Sequence, residues 1–268
     1  MILEDTLNLL KSKYKIYFEN LIITDIRIGL YLTAVKLSDD SYGIASTLSD
    51  DILVNNAKKL RVFDIFSPSR IKGEKVKTLF ETAKDYNIIK SLKMAVLNAI
   101  SSKIISDSDY EIFENTDPVD LIDLSQNKVI TIVGAFHTYI EKIAGTQNKL
   151  NVLELNENAL TADYKKFYIP AAQFAEVLPV SDIVIITGLT LINDTIDNLL
   201  SSVNPDSQVI ITGPSCSVIP DVLFRNNVKI IGATRILKPD LLFDIVGEGG
   251  AGYHLFKYCA QKICIVNE

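Results

Sequence analysis

From residue 129 onward, short apolar runs rich in β-branched residues alternate with helical stretches. The runs are VITIVG at 129–134, NVLEL at 151–155, DIVIITG at 182–188, QVIITG at 208–213 and VKIIG at 228–232, with KICIV at 262–266. A strand that is apolar on both faces must be covered on both faces, and strands separated by helices can run parallel. The pattern therefore predicts a mainly parallel sheet with helices on either side.

The first hundred residues read differently. Leu7, Leu10, Tyr14 and Phe18 form the stripe of an amphipathic helix over residues 4–19. Runs of β-branched and aromatic residues then predict three short antiparallel strands near 22–28, 31–37 and 42–46, with a turn at Asp39-Asp40-Ser41. Helical patterns follow in GEKVKTLFETAKDY and IIKSLKMAVLNAISSKII. Strands in one block and helices in the next indicate an α+β unit, residues 1–112. The acidic, aperiodic stretch 106–125, with Pro118, reads as a linker to a Rossmann-like α/β domain at 120–268.

A chain that is 48% hydrophobic can bury a substantial core. Its net charge of -6, with Lys and Arg scattered, lacks the basic footprint of a nucleic-acid binder. No apolar run reaches the length of a membrane span, and acids near the N-terminus replace the bases of a signal peptide, so a cytoplasmic protein is expected. A homo-oligomer is compatible with the sequence. Three cysteines without a C-x-x-C pair read as reduced thiols, and neither His137 nor His254 has a partner at zinc-ligand spacing.

Four predicted strands stop at glycine: Gly134, Gly188, Gly213 and Gly232. In doubly wound sheets ligands bind outside the carboxyl ends of the strands, where helix N-termini present unpaired N–H groups to anions. Each glycine is also what a tight strand-to-helix turn needs with no ligand at all. After Gly134 come Phe136 and His137 in place of the further glycines of a dinucleotide fingerprint, so NAD or FAD in a standard site is not expected. Glu154 stands 20 residues past Gly134, where an acid can contact a ribose or other hydroxyl. Asn193, Thr195, Pro214 and Ser215 follow the two Thr-Gly ends as ligand contacts or caps. Glu248 and Gly249 open a glycine-rich loop, GEGG, that can carry the acid to a ligand or simply stop a helix.

Taken together, MAVLNAIS at 94–101, VITIVGAF at 129–136, DIVIITGLTLINDT at 182–195, VIITGPSCSVIPD at 209–221, IIGATRI at 230–236 and GEGG at 247–250 carry a resemblance. The sequence resembles the putative heavy-metal chelation protein family, of unknown function, whose members pair an enolase-N-terminal-like domain with a Rossmann-like domain. The family's TG-x-x-L-x-N-x-T pattern falls on Thr187, Gly188, Leu191, Asn193 and Thr195, and its GPS-x-x-x-x-P pattern on Gly213, Pro214, Ser215 and Pro220. The resemblance implies the fold, whereas function must come from the site itself.

Two readings stand on these residues. One is a small-ligand site, enzymatic or not, in a cleft between the two domains at the carboxyl ends of the parallel strands. It takes a small anionic ligand, with Gly188 and the Gly213-Pro214-Ser215 turn, whose proline fixes the chain, giving backbone donors, Asn193 orienting and Glu248 as cation ligand or base. The other is a non-catalytic binder of a heavy metal or metal-containing molecule through His137, Glu154, Glu248 and Cys216. In both, Gly188 and Gly213 lie together at one pocket that the 247–250 loop also borders.

Overall fold

A computed structural model describes residues 1–48, 65–125 and 127–267, and for residues 14–18 the backbone alone. Helix α1 spans Ile2–Asn20, with Leu10 fully buried; the side chains of Tyr14 and Phe18 lie outside the described part. Strands β1 (Ile23–Ile28), β2 (Leu32–Leu37) and β3 (Tyr42–Ser46) form an antiparallel meander in that order. Asp40, at φ 61, makes the β2–β3 turn, where the Ser41 hydroxyl donates to the Asp39 carboxylate at 2.8 Å. Helices α2 (Val76–Glu81) and α3 (Asn87–Ser106) follow.

The second half builds one eight-stranded sheet. Its strands and helices are β4 (Glu111–Glu114), β5 (Val129–Val133), α4 (His137–Ala144), β6 (Lys149–Glu154), β7 (Tyr168–Pro170), α5 (Phe174–Val177), β8 (Ile183–Thr187), α6 (Leu189–Ile192), α7 (Ile196–Ser202), β9 (Gln208–Thr212), α8 (Asp221–Arg225), β10 (Val228–Ile236), α9 (Pro239–Gly247), α10 (Gly252–Tyr258) and β11 (Ala260–Val266). The spatial order is β4-β11-β10-β9-β8-β5-β6-β7. The six strands from β10 to β7 are parallel, and the direction of winding reverses once, between β5 and β8, as in doubly wound sheets. β11 and β4 close one edge antiparallel.

Two sequence expectations need correction. The stretch 106–125 is not an element-free linker: β4 lies inside it and pairs with β11, so the large sheet already includes residues that precede Pro118. Its pattern hides it because an edge strand buries little, and three of its four residues are exposed. Gly232 does not end a strand, since β10 continues to Ile236; a side chain there would meet Pro118 Cγ at 2.3 Å and Thr212 Oγ1 at 2.4 Å.

The small sheet is sandwiched. Residues of β2 are buried almost without interruption because α3 covers one face and α9 the other. Gly43 permits the first contact: an added Cβ would stand 2.1 Å from the Ala95 carbonyl oxygen and 2.3 Å from the Ala99 nitrogen. Leu32, Ala34 and Ile44 meet Leu242, Val246 and Leu255 in a buried cluster on the other face. A larger core joins α1 and α3 to β8, β9 and β10 through residues such as Leu10, Leu92, Val184 and Ile211. Among the described residues no helix is long and apolar enough to cross a membrane.

Candidate functional site

Strand register brings the carboxyl ends to one level. Val133 of β5 lies beside Ile186 of β8, Thr187 beside Thr212 of β9, and Thr212 beside Gly232 of β10. Gly213, at φ 126, lets the chain leave β9 sharply, and its N–H donates to the Gly232 carbonyl at 3.3 Å. Over this edge opens a cleft of about 520 Å³, walled by Asp117 and Pro118, by residues 135–139, by Thr212, Gly213 and Pro214, by 232–234, and by α10 and β11.

The lining mixes apolar and polar groups. Phe136, Tyr253, Phe256, Pro118 and Pro214 are its apolar part. Among the polar part the Lys262 ammonium donates to the Asp117 carboxylate, which also accepts from the Val119 N–H at 3.3 Å as the cap of a short turn. Lys262 also sits over the Phe256 ring, 5.3 Å from its centroid. Burial, and next a hydrogen bond to Asp117, push the Tyr139 phenol above its ordinary range, so it stays a neutral donor. Phe136 stacks on Tyr139 with centroids 5.2 Å apart.

The twelve residues singled out from the sequence fare unevenly. Phe136, His137, Gly213 and Pro214 line the cleft. Gly134, at φ 109, makes the turn behind it, and its N–H donates to the Leu153 carbonyl. Gly188 lies beside Gly213 as expected, its N–H bonded to the Thr212 carbonyl at 2.8 Å, yet it faces Cys216 instead of open space. Ser215 is fully buried, accepts from the Ser46 N–H at 2.9 Å and bonds the Ser46 hydroxyl at 3.1 Å. Its side chain braces β3. The Asn193 carbonyl oxygen accepts from the Thr195 hydroxyl and N–H, closing a local turn away from the cleft. Glu154 folds back onto the N–H groups of Leu155 and Asn156. Glu248 is exposed just past α9, followed by Gly249 at φ 79, so GEGG here acts as a helix stop. The bordering element is instead α10, through Gly252, Tyr253 and Phe256.

The cleft also lies elsewhere than expected. None of its walls comes from residues 1–112; all belong to 117–263. The N-terminal half acts from behind, through Ser46 on Ser215 and through Asn98, whose amide donates to the Ile44 carbonyl at 2.6 Å and the Pro214 carbonyl at 3.3 Å. Sequence reasoning missed Asp117, Tyr139, Thr212, Thr234, Tyr253 and Lys262. Asp117 alone left a local trace, as the Asp-Pro pair that starts a turn.

A chelating site does not form from the residues expected to make one. Among the described residues there is no group of three or more His, Cys, Asp and Glu able to hold a metal ion. His137 opens α4, Glu154 ends β6 and Glu248 follows α9. The Cys216 thiol is buried, donates to the Gly213 and Gly232 carbonyls at 3.0 Å each, and is pushed far up by desolvation. Soft metals bind thiolate, and burial holds this sulfur as thiol. The Cys264 thiol donates to the Thr116 carbonyl at 3.2 Å and is pushed up to about 12, mainly by burial.

Comparison with known proteins agrees on the whole fold. The DUF364 pattern, described as "Putative heavy-metal chelation", matches residues 117–265, and the DUF4213 pattern, described in the same words, matches 12–101. A Pyrococcus horikoshii protein of unknown function from the DUF364 family is 20% identical, with a TM-score of 0.76 over 98% of this chain and 100% of its own. A second, from Desulfitobacterium hafniense DCB-2, is 16% identical, with a TM-score of 0.69 over 97% and 99%. No curated protein matches the sequence. The matched stretch 117–265 contains every wall of the cleft, and the chain belongs to the DUF364 family, putative heavy-metal chelation.

Proposed function

We propose that the protein binds a small organic molecule bearing a planar ring in the cleft over β5, β9 and β10. One observation carries this reading: aromatic and proline side chains share the lining of one cleft with Asp117, Lys262, Tyr139 and Thr212. That is the composition of a small-molecule site, apolar walls with a few placed polar groups. Charge narrows the ligand further. Asp117 and Lys262 neutralise each other, so the cleft suits a ligand with no more than one anionic group and offers little to a pyrophosphate or a bare dication. An enolase-N-terminal-like reading of the first half fits a bracing role, since Ser46 and Asn98 hold the Gly213–Ser215 wall from behind. Reduced, buried thiols fit a cytoplasmic protein.

Saturation-transfer NMR with benzoate and with cyclohexanecarboxylate tests the reading. Benzoate should bind more tightly than its saturated analogue, and Tyr253→Ala should remove that preference, because Tyr253 is 72% exposed and its loss leaves the core intact. Equal binding of both probes, or an unaffected Tyr253→Ala variant, rejects the proposal. Stoichiometric transition metal in protein purified without an affinity tag would favour chelation instead.

A further inference from the structure

Helix α4 starts at His137 with Phe136 as N-cap, and no side chain caps it. Among the described residues the backbone N–H groups of Ala135, His137 and Thr138 make no hydrogen bond, and all three residues line the cleft. Helix starts leave such donors unpaired, and the aligned peptide dipoles add a positive potential there. In most helices a Ser, Thr, Asp or Asn takes up one of them. Here the position is occupied by a phenylalanine, which cannot.

An independent feature points to a ligand in the same space. Thr234 is 6% exposed and lines the cleft, and its hydroxyl, which is not among the buried unpaired side-chain atoms, makes no hydrogen bond among the described residues and so keeps its accessible surface on the cavity side. Buried hydroxyls are normally paired. Its neighbours show the contrast: the Thr212 hydroxyl donates to the Gly232 carbonyl at 3.4 Å, and the Ser217 hydroxyl accepts from the Thr234 N–H at 3.0 Å. The strand therefore leaves one hydroxyl unused, and that one borders the cavity.

We infer that the cleft binds the single oxyanion of its ligand, a carboxylate or phosphomonoester, on the N–H groups of Ala135, His137 and Thr138, with the Thr234 hydroxyl bonding a second polar group. This deepens the reading of the cleft as a ring-binding site and rests on it. Lys262 is turned to Asp117, so the anion is held chiefly by backbone donors and helix potential. A carboxylate on the ligand ring would put the ring under Phe136 and Tyr253, leaving a distal hydroxyl or carbonyl for Thr234.

The direct test is titration of the full-length 15N-labelled protein with inorganic phosphate. The amide resonances of Ala135, His137 and Thr138 should move together and saturate, while those of Leu155 and Asn193, outside the cleft, should not. Proline is well tolerated at the first helical position and has no N–H, so His137→Pro removes one donor without breaking α4. His137→Ala removes the imidazole and keeps that donor. The proline variant should lose at least about tenfold in phosphate affinity beyond whatever the alanine variant loses, as expected for a charge-assisted hydrogen bond. With organic probes, 3-hydroxybenzoate should bind more tightly than benzoate, and Thr234→Val should abolish that advantage. Phosphate that moves none of the three amides, or equal affinities of the two His137 variants, overturns the inference. Benzamide binding as well as benzoate would also overturn it while leaving the ring site standing, whereas failure of every ring probe would sink the ring site alone.

Discussion

Gly188 and Gly213 share one sequence signature, a Thr-Gly at the end of a β-branched run, and the structure gives them opposite surroundings. Gly188 is packed: an added Cβ would lie 3.0 Å from the Cys216 Cβ and 3.1 Å from its nitrogen. Gly213 has room, with the Gly188 nitrogen as nearest neighbour at 3.7 Å, and is glycine because its φ is 126. Only the second borders the cleft. A glycine at the carboxyl edge marks a site when conformation demands it and neighbours leave space; packing alone demands it just as firmly. Gly43, wedged against the α3 backbone, is the extreme of the packed kind.

Substitutions can break this contrast. Gly43→Ala should be the most damaging, because backbone atoms cannot yield at 2.1 Å; overpacking of about 3 kcal/mol would lower Tm by roughly 6–12 °C. Ser215→Ala should come next, since it leaves the partly buried Ser46 N–H without its acceptor, a loss of about 1–2 kcal/mol readable in a urea titration. Benzoate affinity should change little, because the serine side chain faces β3 and not the cleft. Gly213→Ala and Gly188→Ala should each cost about 1–2 kcal/mol for different reasons, backbone strain in one and crowding in the other. Of this pair only Gly213→Ala should also alter probe binding; equal effects on binding would erase the distinction drawn between the two positions. Asn193→Ala, which loses only a local turn, should shift stability by about 0.5 kcal/mol or less.

The packed half also predicts a pH response. Burial raises Cys216, Cys259 and Cys264 above the ordinary thiol value of 9.0, so above that pH the unfolded chain releases protons that the folded chain keeps. The folded state then binds more protons than the unfolded, and stability must fall as pH rises through 9 and continue falling toward the folded-state values. Urea midpoints at pH 7.5 and 10 should show the decrease. Cys216→Ala should reduce it, and an unchanged pH dependence in that variant would mean that Cys216 is not held as a thiol.

Local pattern carried the framework and stopped at the cleft. The runs that became β1, β2, β3, β5, β6, β8 and β9, and the periods that became α1 and α3, were readable because each element's burial writes its own periodicity. β4 and β7 were missed since edge strands of four and three residues bury too little to leave a period. Phe136, His137, Gly213 and Pro214 were found because strand ends concentrate turn residues. Asp117 and Lys262 stand 145 residues apart and meet because β11, which carries Lys262, pairs with β4, which leads into Asp117. No local pattern encodes that meeting. Ser215 misled for a related reason: a serine after Gly-Pro looks like a ligand donor, and its actual partner, Ser46, lies 169 residues upstream.

The cover that α9 provides has a consequence for how the molecule is made. The meander of β1–β3 leaves the ribosome well before its cover, for the face bearing Leu32, Ala34 and Ile44 is closed by Leu242, Val246 and Leu255, about 210 residues later. Until those residues emerge that apolar face has no mate, so the nascent chain exposes a sticky sheet that only α9 and α10 can shield. Ribosome-stalled chains ending before residue 239 should therefore be captured by chaperones and cut readily by protease, and chains extended past 260 should abruptly cease to be.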